Sequence, residues 1–284
     1  MSPIVAAVRM EPVLGDRAES IARGLAGAAE AVAAGAEVVV LPELCTSGYC
    51  FASEAEADAA CEPVPGEATA AWHAFAREHG AVVVAGLAER LDAGGRANSA
   101  VVVDRDGVRA VYRKAHLWDT EKLWFAEGAD LPPVVATSAG MIGVGVCYDL
   151  WFPELVRSLA DRGAELLAFP SNLTDDPPVV VRDHAYTAVA RAAAHINRVP
   201  LVLADRCGAE RGATWVGAAV VVDADGRLVA APDRDDDRPA VVVGDLPPLA
   251  PRAAAFGERN DLVGDRRDDL FGGGAAIALH PPTC

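Results

Sequence analysis

The apolar residues of this chain come in short runs. "IVAAVRM" from Ile4, "EVVVLPE" from Glu37, "AVVVAGLAE" from Ala81 and "NSAVVVD" from Asn98 are rich in Val, Ile, Leu and Ala, which predicts buried strands. "MIGVGVC", "ELLAFPSN", "VPLVLAD", "WVGAAVVVD" and "AVVVGDL" follow in the same manner. Between some of them lie alanine-rich stretches with helical character, Arg17 to Ala34, Glu67 to His79, Pro153 to Asp161 and Val181 to Asn197. Such alternation predicts an α/β protein whose strands are covered on at least one face by helices.

Two segments echo each other. "NSAVVVDRDGVRAVYRK" and "GAAVVVDADGRLVAAPD" are both apolar strands leading into an Asp-x-Asp-Gly turn and a second strand, a β-hairpin pattern. Their places in the two halves of the chain predict two similar halves packed together, each with a helix layer and a sheet. No linker separates independent domains. "LTDDPP" at Leu173 is expected to be a loop at a strand end. From Leu246 the sequence turns Pro-, Arg- and Asp-rich, so residues 246–284 are expected to extend from the single domain over a surface or a neighbouring subunit.

Composition narrows the classes. With 284 residues, 52% of them hydrophobic, the chain can bury one large core or two modest ones. No apolar run approaches the ~18 to 20 residues of a membrane span, and "MSPIVAAVRMEP" lacks a basic stretch followed by a long apolar one. The expectation is a soluble, cytoplasmic protein. A net charge of −16 disfavours nucleic acid and anionic membranes as partners. The six cysteines, at 45, 50, 61, 147, 207 and 284, form no CxxC pair, and no histidine has metal-like spacing beside them, which predicts free thiols and no metal.

Functional groups in open α/β sheets gather beyond the carboxyl ends of strands. Three predicted strand ends carry reactive side chains: "VVVLPE" ends at Glu43, "AVYRK" at Lys114 and "IGVGVC" at Cys147. Singly, each has an ordinary explanation: a solvated loop acid, a surface base beside Arg113, a small buried thiol. Together they suit acyl transfer. A thiol with an ordinary pKa of ~8.5 needs a base or a nearby positive charge to attack a carbonyl. A carboxylate in a dry pocket can take that proton and hand it to a leaving amine. An ammonium and a backbone N–H after the cysteine can hold the developing oxyanion.

"VVVLPE", "YRKAHLWDTEKLWFAEG" and "GVGVCYDLWFPELVRSLADRGAELLAFPSN" resemble the three signature blocks of the nitrilase, or carbon–nitrogen hydrolase, superfamily, in matching order. The similarity continues through "HAYTAVARAAAHINRVPLVLADRCG" to "NDLVGDRRDDLFGG", nearly the whole chain. The resemblance implies a four-layer αββα sandwich, commonly paired as a homodimer or larger homo-oligomer, with no organic cofactor or metal. It implies Glu43 as general base and acid, Lys114 as oxyanion donor, Cys147 as the acylated nucleophile, and the Tyr148 backbone N–H as the second oxyanion donor. Glu121 takes the place of the family's second glutamate, in substrate positioning and support of the triad, ahead of the competing Glu127. His116, which with Cys147 would suggest a papain-like enzyme, is expected to be a structural hydrogen-bonding residue.

Around this trio, Pro153 and Glu154 fit a helix start, and Asp149 is expected to orient the turn after Cys147. Trp151 and Phe152 either wall the pocket or fill core. Tyr49, Trp118, Trp124 and Asn172 are further pocket candidates, the aromatics restricting the acyl group to small or slender ones. Two departures stand out: His195 stands at or near the usual glutamate position of "ARAxEN", and "FPSNLTD" lacks the tryptophan that often follows the asparagine. "CYDLWFPE" looks closer to the amidase and carbamoylase branches than to true nitrilases. The expected substrate is a small linear carboxamide, with a carbamoyl amine as alternative, and a non-catalytic ligand-binding relative as the alternative of another class.

Overall fold

The computed structural model describes residues 3–174, 185–232, 238–249 and 255–271. In chain order its main strands are β1 (Ile4–Arg9), β2 (Val38–Val40), β3 (Val82–Arg90), β4 (Arg96–Asp104), β5 (Gly107–Arg113), β6 (Val134–Thr137), β7 (Gly140–Val144), β8 (Leu166–Pro170), β9 (Leu201–Ala204), β10 (Ala209–Glu210), β11 (Ala213–Thr214), β12 (Val220–Val222), β13 (Leu228–Ala230) and β14 (Ala240–Asp245). The helices among them are α1 (Arg17–Ala33), α2 (Glu54–Ala60), α3 (Glu67–His79), α4 (Glu121–Trp124), α5 (Pro153–Asp161) and α6 (Ala185–Asn197).

Twelve of these strands form two six-stranded sheets, ordered β14-β1-β2-β3-β4-β5 and β6-β7-β8-β9-β12-β13, while β10 and β11 pair with each other. The echo in the sequence is visible in this order. In the first sheet β1, β2 and β3 are parallel and β4 and β5 return antiparallel. In the second, β7, β8 and β9 are parallel and β12 and β13 return antiparallel. Both Asp-x-Asp-Gly turns close in the same way: the Asp106 N–H donates to Asp104 Oδ1 at 2.8 Å, and the Asp225 N–H donates to Asp223 Oδ1 at 2.9 Å.

Side-chain alternation builds the layers. Val5, Ala7, Val38, Val40, Val82 and Val84 share one buried cluster with Ile142, Val144, Leu167 and Val202 of the second sheet. Their neighbours Ala6, Val8, Val39, Val83 and Ala85 pack instead on Ile21, Ala28 and Ala31 of α1 and Trp72 and Phe75 of α3. Leu155, Val156 and Leu159 of α5 and Ala190, Ala193 and Ala194 of α6 cover the other side of the second sheet. The result is the αββα sandwich. The helix starts follow their sequence signals: Asp16 accepts the Glu19 N–H at 3.0 Å to cap α1, and Pro153 opens α5 with Glu154 in its first turn.

The chain divides into two bodies, residues 1–252 and 253–284. Leu246, where the periodicity fades, is buried in the first. The described part of the second consists of a short hairpin, Ala255–Gly257 with Asn260–Asp261, and a helical turn, Asp268–Phe271. Of the predicted loop at Leu173, only Leu173 and Thr174 fall within the described residues. Residues 181–184 of the predicted fourth helix, Cys284 and much of the tail lie outside them. Among the described residues no helix is long and apolar enough to cross a membrane.

Candidate active site

Glu43 follows β2 through Leu41 and Pro42, and its backbone is held between the sheets: its N–H donates to Ser171 O, beyond β8, at 3.2 Å. On the other side it runs against β3 at Gly86, where a β-carbon would come within 2.5 Å of Glu43 Cα. Only glycine permits that approach.

Lys114, the residue after β5, reaches into the same space, and its ammonium lies 2.7 Å from Glu43 Oε1 and 2.9 and 2.8 Å from the two Glu121 oxygens. All three side chains are buried. Asn98, near the start of β4, donates a second hydrogen bond to Glu43 Oε1 at 2.6 Å, while Glu43 Oε2 has no partner. Glu121 is fully engaged: Oε1 accepts the Tyr49 hydroxyl at 2.6 Å, Oε2 accepts the Trp118 N–H at 3.2 Å, and both face Lys114.

These contacts set the charges. Burial, aided by repulsion from Glu121 and opposed by Lys114, raises the Glu43 carboxyl from 4.5 to about 7. Burial works against the Lys114 ammonium, yet the Glu121 and Glu43 carboxylates outweigh it and hold its pKa well above the usual lysine value. Lys114 thus remains a fixed cation.

Cys147 opens a short 3-10 turn, Cys147–Trp151, just beyond β7. Its φ of 45° lies in the left-handed region that side chains other than glycine avoid. Asp149 holds that turn: fully buried, it accepts the Val146 N–H at 3.0 Å, the Tyr112 hydroxyl at 2.9 Å and the His116 N–H at 3.2 Å, with His116 Nδ1 2.7 Å away. The His116 ring stacks on Phe152 at 3.6 Å between centroids. Burial pushes the Cys147 thiol well above its ordinary pKa, Glu43 adds to the rise, and Lys114 and the Asn172 backbone N–H oppose it. The thiol is therefore protonated at rest and requires a base.

Cys147 opens onto a cavity of about 20 Å³ lined by Trp118, Tyr148, Trp151, Asn172, Leu173 and Thr174. A larger cavity of about 330 Å³, lined by Leu14, Arg17, Thr46, Ser47, Phe51 and Glu56 among others, contains none of the reactive residues. Size therefore does not mark the chemistry here. Among the described residues no group of three or more His, Cys, Asp or Glu is placed to hold a metal, and Cys45, Cys50, Cys61, Cys147 and Cys207 are free thiols.

Of the residues singled out from the sequence, Glu43, Lys114, Glu121 and Cys147 come together, and Trp118, Tyr148, Trp151 and Asn172 surround the cavity. Tyr49 meets the site through Glu121, and both Tyr49 and Trp124 pack against a separate apolar cluster that includes Leu44, Phe51 and Phe125; Trp124 is not among the residues lining the cavity. Glu127 is exposed. The ring of His195 lies on the β12–β13 turn, with Nδ1 2.9 Å from Asp225 O. Sequence reasoning missed Asn98, Arg206, Glu210 and Asp205. Glu210 accepts the Tyr49 and Cys50 N–H groups at 2.9 and 2.5 Å and both terminal nitrogens of the buried Arg206 at 3.0 Å. Asp205 accepts the Leu173 N–H at 2.8 Å and the Ala218 N–H at 2.7 Å, fixing one wall of the cavity.

The chain is similar to several characterised proteins over most of its length. It is 34% identical over 269 residues to a nitrilase of Pyrococcus abyssi, covering 94% of this chain and 98% of the relative. It is 31% identical to the N-carbamoylputrescine amidase of Arabidopsis thaliana, over 85% of each chain. Its fold matches a variant of the amidase from Nesterenkonia sp. AN1 that carries acrylamide added at the active-site cysteine, with a TM-score of 0.76, 28% identity, and coverage of 95% of this chain and 98% of that one. Residues 4–250 match the Carbon-nitrogen hydrolase family, and with a buried thiol, carboxylate and ammonium at the strand ends the chain belongs to that family.

Proposed function

We propose that the protein hydrolyses the C–N bond of a small linear carboxamide through a thioester on Cys147, with release of ammonia. The observation that carries this reading is the division of labour at Glu43: Oε1 is occupied by Lys114 and Asn98, while Oε2 is buried and unpartnered. A carboxylate with one free buried oxygen and a pKa near the working pH suits proton transfer.

Glu43 takes the Cys147 proton as sulfur bonds to the amide carbon, and the carbonyl oxygen becomes an oxyanion. Lys114 and the Tyr148 backbone N–H stabilise that charge. Glu43 returns the proton to nitrogen, the C–N bond breaks and ammonia leaves. Water then attacks the thioester with Glu43 again taking a proton, and the carboxylic acid and free thiol are regenerated. Glu121 supports Lys114 throughout. The aromatic rings of Trp118, Tyr148 and Trp151 around a cavity of about 20 Å³ favour a short, slender acyl group.

A second reading is hydrolysis of a carbamoyl amine to ammonia, carbon dioxide and an amine, favoured by the 31% identity to N-carbamoylputrescine amidases. Incubation with a short amide, a carbamoyl amine and a nitrile, with ammonia and carbon dioxide measured separately, decides between them. Ammonia alone from the amide is expected. Carbon dioxide release points to the carbamoyl reaction, and turnover of the nitrile alone overturns both. Intact-mass detection of an acyl adduct on the wild type, absent in Cys147→Ala, tests the thioester. Failure of every substrate and electrophile to label Cys147 would favour a protein that only binds its ligand.

A further inference from the structure

We infer that the side-chain oxygen of Asn172 accepts a hydrogen bond from the N–H of the scissile amide, and that this contact selects substrates bearing an N–H over esters and nitriles. The inference rests on the carboxamide reading above and adds the group that recognises the leaving nitrogen.

Asn172 is buried, lines the cavity beside Cys147, and spans the nucleophile and the base. Its backbone N–H favours the Cys147 thiolate, and its Nδ2 donates a long bond to Glu43 O at 3.4 Å. The scissile carbon must approach Cys147, and the nitrogen must come within reach of Glu43, so the C–N bond comes to lie beside this side chain.

The orientation of the amide is fixed by chemistry: reversing it would set Oδ1 against the Glu43 carbonyl, two acceptors facing each other. In the orientation present, Oδ1 is buried with no hydrogen-bond partner. An amide oxygen only accepts, and leaving it unsatisfied in a dry site is costly. Bound substrate can satisfy it only with a donor, and an N–H supplies one.

Of the other acceptors nearby, Asn98 Oδ1 is also buried without a partner, but Asn98 is not among the residues that line the cavity. Both Glu121 oxygens are taken up by Lys114, with Tyr49 on one and Trp118 N–H on the other. Glu43 Oε2 is reserved for the thiol proton. A primary amide or the terminal NH2 of a carbamoyl group fits the vacant acceptor, whereas an ester oxygen or a nitrile nitrogen presents no hydrogen to it. A site built to accept such a hydrogen bond discriminates strongly against analogues that lack the donor.

The test compares wild type, Asn172→Ala and the near-isosteric Asn172→Leu on propionamide and on methyl propionate, which share an acyl group. Both variants are expected to lose about 10- to 100-fold in kcat/KM on the amide and less than about 3-fold on the ester. The second variant guards against a folding defect peculiar to the first. Equal losses on both substrates would show that Asn172 merely props Glu43 or Cys147 and would overturn the inference. An unchanged amide-to-ester ratio would overturn it as well. If the wild type turns over a carbamoyl amine in place of the amide, the carboxamide reading fails, and the same selective loss measured on that substrate sustains the role of Asn172. Turnover of the nitrile alone removes both.

Discussion

At the scale of single residues, the site is a set of groups whose ordinary behaviour burial has altered. Glu43 titrates at about 7 in place of 4.5 because it is buried and faces Glu121, with Lys114 only partly offsetting both. In the proposed role of base Glu43 works only when ionised, so kcat/KM is expected to rise with pH through about 7. Glu43→Gln should abolish acylation across that range, as measured by the rate of adduct formation on Cys147. His116→Ala should leave acylation detectable, since His116 faces Asp149 and Phe152 and is absent from the cavity lining. Loss of acylation in the His116 variant alone would reverse the assignment of the base. Asp149 has the opposite profile: it is fully buried and gathers four groups around the Cys147 turn. Asp149→Ala leaves those groups unsatisfied and should cost about 3 kcal/mol of stability in denaturant unfolding.

At the scale of elements, strand ends deliver the reactive groups, and loops hold them in place. The hydrophobic runs made most of the strands and the long helices legible, because buried parallel strands are apolar throughout and each helix has its apolar stripe; β6, β10 and β11, of four, two and two residues, escaped. α2 and α4 escaped: they are seven and four residues long, too short to display a helical period. Ser53, which accepts the Glu56 N–H at 3.2 Å, was the available sign of α2. The reactive trio was legible because each member ends an apolar run. Asn98 and Glu210 were not, since their partners lie 55 and 161 residues away and only the fold brings them together. Glu210 shows what such a residue does. It holds the loop carrying Tyr49 and Cys50, and Gly48 in that loop, at φ 78°, leaves no room for a β-carbon, which would lie 2.7 Å from Glu210 Oε2. Tyr49 in turn secures Glu121 and, through it, Lys114. Tyr49→Phe and Glu210→Gln should each lower kcat by about 10-fold with KM less affected. Because both act along one chain of contacts, the double variant should lose clearly less than the product of the two losses. Multiplicative losses would show that Glu210 acts independently of Tyr49.

At the scale of the whole molecule, the same burial that suits Glu43 to the proposed role of base sets activity against stability. Glu43 and Asp205 both titrate at about 7 in the folded chain, against ordinary values of 4.5 and 3.8, mainly because both are fully buried. Between the ordinary and the folded values the native state binds more protons than the unfolded one, so stability falls as pH rises through that interval. Exposed pairs do not cancel this trend. Glu56, held at about 2 by its hydrogen bond to Arg211, is ionised in both states well below pH 6 and contributes no slope above it. The melting temperature is therefore expected to drop on the order of 5 °C between about pH 6 and about pH 8, the interval over which activity climbs. The net charge of −16 offers a rival cause, self-repulsion over the surface. Salt separates the two, because ions screen exposed charge and leave buried carboxyls little affected. If the two buried acids are responsible, the drop should persist in about 0.5 M salt and shrink in Glu43→Gln, which cannot lose a proton. A drop that salt removes, with the variant behaving as the wild type, would assign the trend to surface charge and leave the burial of Glu43 without consequence for the fold.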